Sequence, residues 1–225
     1  MNSPAHEPVP LRIDFVSDIV CPWCAIGLAA LEQALQHVAG EVQAEIHFQP
    51  FELNPQMLAE GEDITEHLQK KYGLSEAQLA ENQERIRARG AELGFTFGMG
   101  ARTRTYNTFD AHRLLHWAGL EGEGKQAALK HALLRAYFTD GRNVSNHATL
   151  LDIAESVGLP AERAQTILAS DEFAADVRAD EDRYQRNGIS AVPAVIINRR
   201  HLISGGQPVE VFERALRQIV QSGDA

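Results

Sequence analysis

The chain has 225 residues, 44% of them hydrophobic and 23% charged, with a formal net charge of -10 at pH 7. This is the composition of an ordinary globular protein with room for a sizeable core. The acidic balance argues against nucleic acid and anionic membrane surfaces as partners, and no stretch approaches the length of a membrane span.

In chain order, residues 1–10 read as a loose proline-bearing lead-in, with neither the basic start nor the apolar core of a signal peptide. The expected compartment is the cytoplasm, where thiols stay reduced and lasting structural disulfides are rare. Residues 11–17 have strand character and 22–38 read as a helix. Val42, Ala44, Ile46 and Phe48 then alternate with Gln43, Glu45, His47 and Gln49, the period of a strand with one buried face. Strand, helix, strand at this spacing predicts a βαβ unit with parallel strands and a right-handed crossover.

From about 60 to 187 only helical periodicity is visible. Helices are expected over 64–72, 75–93, 107–118, 124–139, 146–157, 161–169 and 171–187, with Ser75 and Gln78 forming a capping box. Residues 94–105 read as a glycine-rich basic loop whose Arg102 and Arg104 are solvated. Asn143-Val144-Ser145 matches a glycosylation sequon but is expected to cap the helix that follows. The pattern then reverts. Residues 194–198 and 201–204 form an expected hairpin around Arg199 and Arg200, and a final helix carries Val209, Phe212, Leu216 and Ile219 on one face. These elements predict a discontinuous domain of 11–60 and 188–221 around an inserted helical domain, 61–187.

The chemistry concentrates in Cys21-Pro22-Trp23-Cys24, which contains both cysteines of the chain. A strand that ends in C-x-x-C and runs into a helix is the sequence form of a thioredoxin-like redox site. A helix N-terminus has unpaired N–H groups and the positive end of the macrodipole, which favour a thiolate there. Pro22 suits the first helical turn. Cys24 returns to the face of Cys21, so Cys21 is read as the attacking thiol and Cys24 as the resolving thiol of a mixed disulfide. Two other readings of these four residues are half of a zinc site and a pair of inert buried thiols. Zinc would need histidines to complete its shell, because no further cysteine exists. His112 and His116 have a metal-compatible spacing, but the segment lacks the glutamate of H-E-x-x-H and reads as an amphipathic helix. Trp23 is placed to shield the sulfurs and contact substrate, or simply to pack.

βαβ followed by ββα, with C-x-x-C after the first strand, resembles the thioredoxin fold, and the helical insertion resembles its DsbA-like branch. Cys-Pro-Trp-Cys, Pro50-Phe51-Glu52-Leu53-Asn54-Pro55, Ala111-His112-Arg113-Leu114, Gly188-Ile189-Ser190-Ala191-Val192-Pro193 and Ser204-Gly205-Gly206-Gln207-Pro208 resemble the FrnE-like group over residues 11–221. The resemblance implies a dithiol–disulfide oxidoreductase. It also implies a cis Val192–Pro193 bond whose backbone receives an extended substrate. Many thioredoxin-like proteins carry a buried acid six positions before the first cysteine, and here that position is Phe15. Alternation turns Asp14 to the other strand face, and Asp18 reads first as a solvated turn acid.

The inserted-helix architecture is shared by glutathione-dependent 2-hydroxychromene-2-carboxylate isomerases and kappa-class glutathione transferases, which generally use serine where Cys21 stands. In such an enzyme Asn54, Asn107 and His112 would line a small-molecule pocket, although Asn107 also reads as a helix N-cap. Three functions are therefore compatible with the sequence. The first is a thiol–disulfide oxidoreductase without metal or bound organic cofactor, acting on protein or small-molecule disulfides, with glutathione as a candidate co-substrate. The second is a glutathione-dependent isomerase or transferase of a small aromatic molecule. The third is a non-catalytic module that holds extended peptides at Val192–Pro193.

Overall fold

The strand that leads to the dithiol, β1 (Val9–Ser17), is buried on both sides in the computed structural model, which describes residues 7–98 and 100–223. Leu11, Ile13 and Phe15 face one side, and Asp14 and Val16 the other, all nearly inaccessible. The helix α1 (Pro22–His37) follows, then β2 (Val42–Pro50), which pairs parallel to β1 from Val9↔Val42 to Ser17↔Pro50. Near the other end of the chain β5 (Ala194–Ile197) pairs antiparallel to β1, and β6 (His201–Ser204) antiparallel to β5. The sheet order is β2-β1-β5-β6, and the closing helix α9 (Val209–Ser222) packs beside α1. Phe212 and Leu216 on its apolar stripe are fully buried, as the 3.6-residue period requires. The strand thus begins at Val9 rather than 11, and residues 1–6 of the expected lead-in lie outside the described residues.

Between β2 and β5 run α2 (Ile64–Tyr72), α3 (Glu76–Glu92), α4 (Phe109–Leu120), α5 (Lys125–Phe138), α6 (His147–Ser156), α7 (Ala161–Leu168) and α8 (Ala174–Arg186). That makes nine helices among the described residues. None of them is long and apolar enough to cross a membrane. The helical segment shares one continuous hydrophobic core with the sheet: Phe15, Leu31 and Val195 lie in the same cluster as Trp117, Leu133 and Ile153. A smaller cluster joins Val16 and Ala194 to Tyr184 and Ile189.

Several local expectations are corrected. The segment is not purely helical. Two-residue strands β3 (Glu62–Asp63) and β4 (Arg104–Thr105) pair antiparallel, a ladder too short to leave an alternation in the sequence. Gly61 has φ +68° and lies so close to this ladder that a Cβ would sit 2.1 Å from the Thr105 carbonyl oxygen. Arg104 is not simply solvated. Its guanidinium donates to the carbonyls of Glu60 (3.0 Å) and Gly61 (2.8 Å). Arg102 lies over the rings of Tyr137 and Phe138. Asn143 does not cap α6; it accepts from its neighbour Ser145 N, and Asn146 caps the helix by accepting from Thr149 N. Ser75 and Gln78 form the expected capping box of α3.

Candidate active site

β1 carries the chain to a buried turn over Asp18, Ile19 and Val20, and Cys21 is the residue from which α1 begins. Pro22 takes the first helical position, where its missing N–H removes no hydrogen bond. The amides of Cys24 and Ala25 donate to the Cys21 carbonyl at 3.1 and 3.4 Å. One turn therefore brings Cys24 back beside Cys21. No side chain caps α1 and its first turn has no acid, so its positive end is left to the sulfur of Cys21. Both thiols are free. Cys21 retains 4% exposure and Cys24 none. Burial pushes the Cys24 thiol well above its ordinary value, and the hydrogen bond and negative charge of Cys21 push it the same way.

In front of the dithiol lies backbone. The Val192–Pro193 peptide is cis, and the Cys21 thiol donates to the Val192 carbonyl at 3.8 Å. Gly205 N donates to the Pro193 carbonyl at 2.8 Å, which fastens this loop to the 204–208 segment. The approach depends on two glycines. A Cβ on Gly27 would meet Pro193 Cγ at 3.0 Å and Gly206 Cα at 3.3 Å, and one on Gly206 would meet the Trp23 carbonyl oxygen at 3.0 Å. Trp23 is partly buried, with the guanidinium of Arg85 lying 5.7 Å from its ring centroid. Tyr72 of α2 is about half exposed, and its phenol is raised by burial first and then by the charge of Cys21.

Around the turn that leads to the dithiol lie buried titratable groups. Asp18 is fully buried, not a solvated turn acid, because the Pro50–Pro55 segment and α4 close over the turn. Asp18 Oδ2 accepts from Leu53 N at 2.7 Å, and Oδ1 lies 3.5 Å from His112 Nε2. That separation is an ion-pair distance, longer than a hydrogen bond, and neither atom makes one elsewhere. Burial works to raise the Asp18 carboxyl, but His112 and the Leu53 amide outweigh it and hold the group below its ordinary value. Lys130 of α5 is also fully buried. Its Nζ has no hydrogen-bond partner and lies 5.9 Å over the Phe48 ring. Asp14 points to the other face, held by Arg12 at 2.7 Å and Gln49 at 2.9 Å.

Residues 12–217 match the family model described as a DSBA-like thioredoxin domain. The chain belongs to the DSBA-like thioredoxin domain family. It is 27% identical over 208 residues to the uncharacterised protein YwbO of Bacillus subtilis, covering 92% of this chain and 96% of that one. A probable DsbA oxidoreductase of Streptomyces coelicolor, SCO1869, superposes with a TM-score of 0.83 at 36% identity, covering 92% of this chain and 89% of that one. The cytosolic disulfide reductase DsbM of Pseudomonas aeruginosa, solved with GSH, superposes with a TM-score of 0.64 at 19% identity, over 93% and 99% of the two chains.

In this DSBA-like domain Cys21, Cys24, Trp23, Val192 and Pro193 meet at one place, as described above. His112 lies behind the dithiol rather than in front of it, with its side chain 2% exposed against Asp18. Asn54 and Asn107 brace the loop after β2. Asn54 Oδ1 accepts from Lys71 Nζ at 2.6 Å, and Asn107 Nδ2 donates to the Met57 carbonyl at 3.1 Å. The N-cap of α4 is Thr108, not Asn107, although Asn107 Oδ1 accepts from Phe109 N at 2.9 Å. Among the described residues no group of three or more His, Cys, Asp or Glu is arranged to hold a metal, and His116 lies instead against Phe173 and Asp180. Sequence reading missed Gly27, Tyr72 and Lys130. Lys130 did leave a signal: it stands three and seven residues before Leu133 and Tyr137, on the buried stripe of its helix.

Proposed function

We propose that the protein is a thiol–disulfide oxidoreductase that uses Cys21 and Cys24 on protein or small-molecule disulfides. The observation that carries this reading is the pair of free thiols at the start of α1, the outer one donating to the carbonyl of Val192 beside the cis proline. Cys21 attacks a substrate disulfide and forms a mixed disulfide. Cys24 attacks Cys21 and releases the substrate thiol. An extended peptide pairs with the Val192 backbone as in strand addition, and Trp23, Val192 and Pro193 form its contact surface. Asn54 and Asn107 shape the neighbouring loop, and His112 acts from behind. Glutathione is a candidate co-substrate, since the DsbM structure holds GSH. We assign the protein to the cytoplasm and to the FrnE-like group within its family, on the cysteine usage and motifs of the sequence.

The test is catalysed reduction of insulin disulfides by the reduced protein. Wild type is expected to catalyse it, and Cys21→Ser to lose at least about three orders of magnitude of rate, because a hydroxyl at neutral pH is not a comparable nucleophile. Peptide binding without turnover in the folded wild type would sink the enzymatic reading in favour of a binding module.

A further inference from the structure

Trp23 separates the two cysteines, so whatever its ring touches borders the site. One neighbour is the 204–208 segment: a Cβ on Gly206 would lie 3.4 Å from Trp23 Cε3 and 3.0 Å from the Trp23 carbonyl oxygen. That segment also holds the Pro193 carbonyl, through Gly205 N at 2.8 Å. Another neighbour is α3. Its Arg85 guanidinium lies 5.7 Å from the Trp23 ring centroid, within cation–π range. The C-terminal end of α3 is tied to α1, where Gln33 Nε2 donates to the Leu93 carbonyl at 3.2 Å. Arg85 thus stands at the rim of the dithiol, on a ring that the proline-loop segment also borders.

Three arginines lie along this part of α3, and their partners differ. Arg87 pairs with Glu84 at 2.6 Å, and Arg89 with Glu92 at 2.6 Å. Arg85 makes no ion pair among the described residues. Its Nη2 donates to the neutral amide oxygen of Asn82 at 2.6 Å. Asn82 fixes one corner of the guanidinium without neutralising it, and Arg85 is exposed. A positive charge is therefore open to solvent beside the redox pair. The chain around it has a formal net charge of -10, whose overall field repels anions. A local cation at the mouth of the site offsets that repulsion where an anionic substrate must approach.

We propose that Arg85 is a substrate-recognition residue that selects small disulfides carrying carboxylates, of the oxidised-glutathione type. This rests on the disulfide-exchange reading above. The Cys21 thiolate attacks one sulfur of the substrate. The bond from Cys21 to that sulfur forms and the substrate S–S bond breaks. The second sulfur leaves with the electron pair of the broken bond and takes a proton from water. Arg85 takes no part in that transfer. Its guanidinium receives a carboxylate of the incoming disulfide through charge-assisted hydrogen bonds, for which a planar fork of donors is suited. Trp23 and Asn82 hold the fork in place.

The experiment measures the attack step in a Cys24→Ser background, where the mixed disulfide accumulates. Three small symmetric disulfides are the probes: oxidised glutathione, which is anionic, hydroxyethyl disulfide, which is neutral, and cystamine, which is cationic. Formation of the mixed disulfide is followed by acid quench and mass spectrometry. Each variant is compared with its parent one disulfide at a time, so the intrinsic reactivity of each probe cancels. Arg85→Gln is expected to lower the rate constant for oxidised glutathione about three- to tenfold, the effect of one exposed charge, while hydroxyethyl disulfide changes less than about twofold and cystamine does not fall. Arg85→Lys keeps the charge without the fork and is expected to lie between the two. Added salt should slow the parent with oxidised glutathione more than it slows Arg85→Gln. An equal loss with all three disulfides would mean that Arg85 only steadies Trp23, and it overturns the proposal. An unchanged rate with oxidised glutathione overturns it as well. A parent that forms no mixed disulfide with any of the three overturns the disulfide-exchange reading itself, and this inference with it.

Discussion

The two sides of the dithiol are made of different materials. The front is backbone and small residues: the Val192–Pro193 peptide, Gly27, Gly206 and the partly buried ring of Trp23. The back is made of titratable groups sealed from water: Asp18, His112 and Lys130. The front comes from the sheet-forming ends of the chain, whereas Lys130 and His112 come from the helical segment between them. A surface of peptide groups can accept many extended substrates, because every peptide offers the same partners. Buried charges discriminate nothing in the substrate, but they act strongly on a neighbouring sulfur because little water screens them. The helical segment thus does more than cover the sheet, since it supplies His112 beside Asp18 and a lysine buried over Phe48.

The largest effect is expected at the front. Gly27→Val places atoms where Pro193 Cγ and Gly206 Cα now stand within 3.3 Å. The loop must retreat, and insulin reduction is expected to fall about tenfold or more through lost positioning. The overpacking should cost about 1–3 kcal/mol in urea denaturation. Unchanged turnover in a folded Gly27→Val protein would show that the close approach of α1 to the proline loop does not matter.

At the back the expected stability effect has the opposite sign. Lys130 is fully buried without a hydrogen-bond partner, and its ammonium is lowered from 10.5 to about 8. Below pH 8 the folded protein bears the penalty of a buried charge; from about 8 to 10.5 the folded lysine is neutral while the unfolded one is still charged, so the penalty fades. Lys130→Met is therefore expected to stabilise the protein by about 3 kcal/mol at pH 7. That gain should shrink as pH rises through this window, as measured by denaturation at several pH values. A gain that stays constant to pH 10.5 would mean that packing, not charge, is the cause.

Away from both sides the effects should be small and purely structural. Ser75→Ala removes the side chain that accepts from Gln78 N at the start of α3. It is expected to cost about 0.5–1 kcal/mol of stability and leave insulin reduction unchanged. A loss of activity there would mean that α3, whose Arg85 lies over Trp23, sets the front surface more directly than its contacts suggest.

The order of the longer elements and the position of the dithiol were legible in the chain itself, which hid the two-residue β3 and β4. That order and that position are written in short-range patterns: a period of two in β2, a 3.6-residue period in the helices, and a proline and two cysteines at one helix start. Of the front, Cys21-Pro22-Trp23-Cys24 was legible for the same reason and Val192-Pro193 through the family resemblance, whereas Gly27 was not legible. The back depends on tertiary packing. Asp18 looks like any turn acid until the segment after β2 and α4 close over it, and that burial is set by contacts distant in sequence. Lys130 reads as one lysine among others on a helix, and only the packing of α5 against β2 buries its amine over Phe48, away from any hydrogen-bond partner. Local propensity fixes which way a side chain leaves its own helix or strand. What that side chain then meets, and whether water meets it too, depends on how separate elements assemble, and the chemistry of a buried charge depends on that alone.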